Sequence, residues 1–114
     1  MFDRQAVLDR LGGDEQLLGE IAGLFLEDCP QKMAELAEAV AKQDARRLRL
    51  TAHTLKGALV NFGAREAYEA ALRLETMGRQ GALARAGEAL AALEAAVGRL
   101  RPVLEALAKE AGKG

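Results

Sequence analysis

If this chain does chemistry, the histidine at position 53 is almost the only nucleophile it has to do it with. Cys29 is the other candidate. Its neighbours Ala22, Phe25, Met33 and Leu36 recur at helical spacing, and on such a stripe a small buried thiol is expected. The sequence contains no serine, which excludes a Ser-His-Asp hydrolase. One Cys and one His cannot supply the usual ligands of a zinc site, and a single Cys forms no internal disulfide, so no metal site is predicted. No GxxxxGK[ST] loop is present, nor a GxGxxG following a strand, so nothing in the sequence cradles a nucleotide phosphate. The four aromatics, Phe2, Phe25, Phe62 and Tyr68, are too few for a base-stacking platform.

The residues around His53 give it a direction. Leu48, Ala52, Leu55, Leu59 and Phe62 are spaced by fours and threes. At about 100° per residue they fall within roughly 80° of arc, the core stripe of a helix. On that wheel, with Leu48 at zero, Lys56 lies near ~80°, His53 near ~140° and Gly57 near ~180°, so His53 points to solvent. Gly57 costs ~1 kcal/mol relative to Ala inside a helix, in a sequence that uses Ala almost everywhere else. Helical side chains lean towards the N-terminus, so any side chain at 57 would lie over the imidazole. Its absence leaves the ring open to something large. The alternative, close helix packing at Gly57, lacks a neighbouring helix on that side of the wheel. Lys56 leans back towards the ring and could stabilise an anion attached to it. Arg49 leans away and is at most a docking residue. Leu50 and Val60, near ~200° and ~120° on the same wheel, predict a small apolar patch for a partner.

The rest of the chain supplies the scaffold. Of 114 residues, 24 are Ala and 19 are Leu, against nine β-branched residues, which predicts an all-α fold. A short helix over 3–11 opens the chain, with Asp3 as its cap and Phe2 stapled to Val7. Longer helices are expected at about 14–42, 44–62, 64–78 and 82–110, with a frayed tail. Pro30 is read as a bend in one long helix, with two helices broken there as the alternative. The stripe Leu83, Ala86, Leu90, Leu93, Val97, Leu100, Leu104, Leu107 is that of a bundle helix. One-sided helices joined by short turns predict a single domain: an antiparallel, up-down four-helix bundle with the short N-terminal helix as a lid. Its mutually buried stripes predict a monomer. Sixteen basic and 17 acidic residues nearly cancel, which argues against a nucleic-acid partner. No apolar run is long enough to cross a bilayer, and the N-terminus does not read as a signal peptide, so a cytoplasmic protein without a membrane partner is expected.

The segment Ala52-His53-Thr54-Leu55-Lys56-Gly57, followed by Phe62-Gly63-Ala64, resembles the signature of the histidine-containing phosphotransfer (HPt) domains of bacterial phosphorelays. The resemblance extends to Phe25-Leu26 and Pro30 upstream, Asp44 before the His helix, and Leu74-Glu75 and Gly78-Arg79 downstream. It implies a four-helix bundle with an exposed, phosphorylatable His53. That imidazole would take a phosphoryl group from the aspartyl phosphate of a response-regulator receiver domain and pass it to another receiver, downstream of a sensor or hybrid histidine kinase. It further implies that Lys56 steadies the phosphoryl group, that Gly57 keeps the approach clear and that Arg79 lies near the same end. The receiver would bring Mg²⁺, so this chain would be a phosphoryl carrier with no ATP site and no cofactor of its own. Family members often carry an amide near the place of Glu75; a carboxylate would not help hold a phosphoryl group, so the resemblance gives Glu75 no direct role. Two alternatives remain at this stage: the domain of a larger hybrid kinase, and a receiver-docking module that is not phosphorylated. The initial Met favours a free-standing protein over the first, and the intact His-Lys-Gly cluster speaks against the second.

Overall fold

Five α-helices account for nearly all of residues 4–113, the part of the chain that the computed structural model describes, and no strand occurs among them. They are α1 (Arg4–Arg10), α2 (Glu15–Ala41), α3 (Ala45–Val60), α4 (Arg65–Gln80) and α5 (Ala86–Lys113). The cap and staple expected at Asp3 and Phe2 lie outside the described residues.

The helix starts have local causes. Asp14 and Asp44 both adopt extended backbone, and their carboxylates accept from Leu17 N at 2.9 Å and Arg47 N at 3.1 Å, satisfying first-turn amides of α2 and α3. α2 runs unbroken through Pro30, whose missing amide falls on the exposed side of the helix. The boundaries of α4 and α5 differ from the sequence expectation. α4 does not stop at Gly78 but continues to Gln80, and Gly81, at φ +68°, provides its left-handed cap. α5 begins at Ala86 rather than 82 and continues past 110 to Lys113. Its last turn is held because Ala111 packs against Gly19 of α2.

α2 packs against α3 and α5, α4 packs against the same two helices, and α1 lies on α2. The predicted stripes form one core: Leu48, Ala52, Leu55, Leu59 and Phe62 of the α3 segment are buried, as are all eight stripe residues from Leu83 to Leu107. Phe25 and Phe62 meet edge to face with centroids 5.4 Å apart. Cys29 is buried in the same core, and burial pushes its thiol pKa up, as befits an inert packing residue. Buried alanines on every long helix allow close approach, and α3 and α4 come closest at Gly78. A Cβ added there would stand 2.7 Å from both Ala45 O and Arg49 N. This contact fixes the register of α4 against α3. α1 closes one end of the molecule, where Arg10 Nη1 donates at 2.7 Å to Val60 O in the last turn of α3, a carbonyl that also accepts from Gly63 N at 3.2 Å.

Candidate functional site

Among the described residues α3 is the only long helix without an acidic residue; it carries Arg46, Arg47, Arg49 and Lys56 in a chain of net charge −1. His53 projects from the middle of it with a side chain 67% exposed. Around Gly57, one turn further on, nothing lies within 4 Å of where a Cβ would stand. The close-packing explanation of this glycine is thereby removed: the space is open, and it adjoins the ring.

Beneath the ring lies a residue that sequence reasoning set aside. Glu75 of α4 is 3% exposed, on the edge of the buried face formed by Ala67, Ala71, Leu74 and Gly78. Its Oε2 is 2.7 Å from His53 Nδ1, its Oε1 is 2.6 Å from Lys56 Nζ, and Arg79 Nη2 approaches Oε2 at 3.5 Å. Oε1 has no partner of hydrogen-bonding geometry, so the Lys56 ammonium holds it by proximity of charge. Glu75 is covered by these partners rather than sunk in the core. Contact with Lys56 foremost, and then with His53, holds its carboxyl below the usual range, against the opposing effect of burial. A carboxylate can only accept, so Nδ1 must carry the proton of the neutral imidazole. Nε2 is then left with the lone pair, on the side of the ring away from Glu75.

The arrangement is thus an oriented, outward-facing nitrogen nucleophile backed by a carboxylate, with two cations beside it and clear space in front. It suits in-line attack on an electrophile delivered by a large partner. A family model for the Hpt domain matches residues 20–103. The chain belongs to the Hpt domain family. Among solved structures, this Hpt chain is similar to histidine-containing phosphotransfer protein B (HptB) from Pseudomonas aeruginosa PAO1. The two share a TM-score of 0.85 and 25% sequence identity over 99% of this chain and 96% of that one. No curated protein matches the sequence. Hpt domains work in phosphorelays with receiver domains and histidine kinases, and this chain has a histidine phosphotransfer role of that kind.

Within the Hpt chain the structure brings His53, Lys56 and Arg79 together around Glu75, with Gly57 alongside. Lys56 does not lie free beside the ring as its wheel position suggested; its ammonium is drawn onto Glu75, and its side chain is 18% exposed. Arg49 is half-buried, its backbone pressed against Gly78. Leu50 and Val60 are exposed, but Val60 stands seven residues from His53, about 10 Å along the helix, beside α1 rather than beside the ring. A further apolar surface lies on α2. Leu24 of α2 is 62% exposed and lines a groove of about 280 Å³ that also includes Thr54 and Ala58, the neighbours of His53 and Gly57. Its signal was available, since Leu24 falls off the buried stripe of α2. Glu75 could have been found as the single charged residue bordering the small-residue face of α4. No helix among the described residues is long and apolar enough to cross a membrane, and no cluster of three or more His, Cys, Asp or Glu among them could hold a metal ion.

Proposed function

We propose that His53 is the phosphoacceptor of this Hpt domain, taking the phosphoryl group on Nε2 from the aspartyl phosphate of one receiver domain and delivering it to the Asp of another. The observation that carries this reading is the 2.7 Å contact of Nδ1 with Glu75 on a ring that is otherwise exposed. As Nε2 bonds to phosphorus the ring becomes cationic, and the carboxylate at Nδ1 stabilises that charge where it develops. No proton has to leave: Nδ1 keeps its hydrogen throughout. Phosphoryl transfer depends chiefly on positioning and on neutralising the charge of the phosphoryl oxygens, and the basic α3 with Arg79 contributes the latter.

In this reading the Mg²⁺ belongs to the receiver and the chain is a carrier that turns over nothing alone. Gly57 leaves room for the receiver's reacting edge, while the exposed Leu24 and Leu50 serve as apolar docking contacts and Arg49 contributes charge at the rim. The scaffold is an antiparallel up-down four-helix bundle. It is supported by the pairing of the start of α2 with the end of α5 at Gly19 and Ala111, and of the start of α3 with the end of α4 at Ala45 and Gly78. A cytoplasmic monomer that binds neither nucleic acid nor membrane completes the proposal. Incubation with a panel of phosphorylated receivers tests it. An acid-labile, base-stable phosphate that disappears in His53→Gln, with helical circular dichroism retained, is expected; label persisting in that variant would move the site elsewhere.

A further inference from the structure

The cations around Glu75 are not equivalent. Lys56 Nζ sits 2.6 Å from Oε1, an oxygen that has no hydrogen-bonding partner, and little of the Lys56 side chain reaches solvent. Turning Lys56 towards a phosphoryl group would strand that buried oxygen, which is costly for a charged group. Arg79 is placed differently. Its Nη2 lies 3.5 Å from Oε2, beyond hydrogen-bonding length, its side chain is 60% exposed, and the oxygen it touches already has His53 Nδ1 at 2.7 Å. Arg79 can therefore leave without orphaning anything. Because guanidinium and ring meet at the same carboxylate oxygen, they are necessarily neighbours. The planar fork of an Arg also suits two phosphoryl oxygens better than a lysine does.

We propose that in this chain Arg79, rather than Lys56, is the cation that closes on the phosphoryl group of His53, and that Glu75 imposes this division by holding Lys56. The inference rests on His53 being the phosphoacceptor. In the step concerned, the Nε2 lone pair attacks phosphorus, the P–N bond forms, and the P–O bond to the receiver aspartate breaks with its electron pair leaving on the carboxylate. Nδ1 keeps its proton against Glu75. The positive ring faces Glu75, whose other oxygen stays neutralised by Lys56, and the two negative charges of the phosphoryl group face the guanidinium released from Oε2.

The test compares Arg79→Ala, Lys56→Ala, Glu75→Gln and the pair Glu75→Gln with Arg79→Ala. Its readouts are the rate of acceptance from a phosphorylated receiver and, after removal of the receiver, the ³¹P resonance and hydrolysis rate of the isolated phosphoprotein. Arg79→Ala is expected to slow acceptance about tenfold, below the hundredfold of a water-excluded site because solvent screens an exposed charge. It should also shift the ³¹P signal of the isolated phosphoprotein. The amide of Glu75→Gln can still accept from Nδ1 but neither balances the charge of the ring nor holds Lys56, so Glu75→Gln alone should slow acceptance, and adding Arg79→Ala to it should cost little more because Lys56 takes over. A greater loss in Lys56→Ala than in Arg79→Ala, or an Arg79→Ala loss undiminished in the Glu75→Gln background, would overturn the proposal. So would an Arg79→Ala defect confined to the receiver concentration required, with the isolated phosphoprotein unchanged, since that marks a docking residue. Complete absence of phosphohistidine on the unsubstituted protein would instead remove the acceptor assignment beneath it.

Discussion

Replacing Gly57 first by alanine and then by glutamine separates what this position does for stability from what it does for transfer. In α3 the glycine is a liability of ~1 kcal/mol relative to Ala and ~0.5 kcal/mol relative to Gln. Nothing lies within 4 Å of the added Cβ, so the first atom of either side chain meets no clash and both should realise that gain. For a domain of this size the melting temperature should rise by about 4 °C for Gly57→Ala and about 2 °C for Gly57→Gln. Transfer should respond differently. The alanine methyl stays close to the helix and leaves the ring accessible, so the rate should change little. The glutamine chain leans back one turn, over a ring whose exposure is 67%, and occupies the path of the phosphoryl donor. Displacing a reacting group by ~1 Å can cost about a hundredfold, so a loss of at least tenfold is expected for glutamine. Thermal melts and quenched-flow transfer from a phosphorylated receiver measure the two quantities on the same preparations. A Gly57→Gln protein that transfers at the normal rate would refute the access argument, and a Gly57→Ala protein that melts lower would refute the claim that the space is empty.

Acid should expose the role of Glu75. Its folded pKa is held below the ordinary value, chiefly by Lys56, so its contribution to stability is complete above the unfolded pKa and is lost as pH falls through the folded one. Urea titrations should therefore find wild type and Glu75→Gln furthest apart near neutrality and converging below about pH 4; a gap that widens in acid would contradict the ion pairing. Gly78→Ala should destabilise by ~1–3 kcal/mol, because its methyl would press on Ala45 O and Arg49 N. It should also slow transfer by shifting α4, and Glu75 with it, away from α3; a neutral effect in both assays would dispose of the close-crossing argument. Asp44→Ala should cost ~1 kcal/mol through loss of the α3 cap, measurable in the same titrations, without changing transfer in proportion.

What was legible in the sequence was whatever one helix determines by itself. The four-three spacing of Leu48, Ala52, Leu55, Leu59 and Phe62 is enough to put His53 on the outside, and all five stripe residues are buried. The same periodicity carried α2 through Pro30. What was not legible depends on how two helices lie against each other. Gly78 read as a stop signal and is a crossing contact, because only the approach of α3 gives a missing Cβ its purpose. Lys56 read as a partner of the ring, and Glu75 as a poor substitute for an amide. Their pairing at 2.6 Å follows from the register of α4 against α3, which neither helix states alone. The start of α5 at Ala86 was misjudged because Leu83, though it belongs to the buried stripe, reaches the core from the preceding turn.

The central claim is that the phosphoryl group resides on Nε2 of His53 while Nδ1 keeps its proton against Glu75. Heteronuclear ¹⁵N–³¹P NMR of the chain phosphorylated by a receiver reads this directly. The expected result is a single phosphorus coupled to Nε2 of the one histidine, with Nδ1 protonated. Coupling to Nδ1, or a phosphate bound to any other residue, would contradict it.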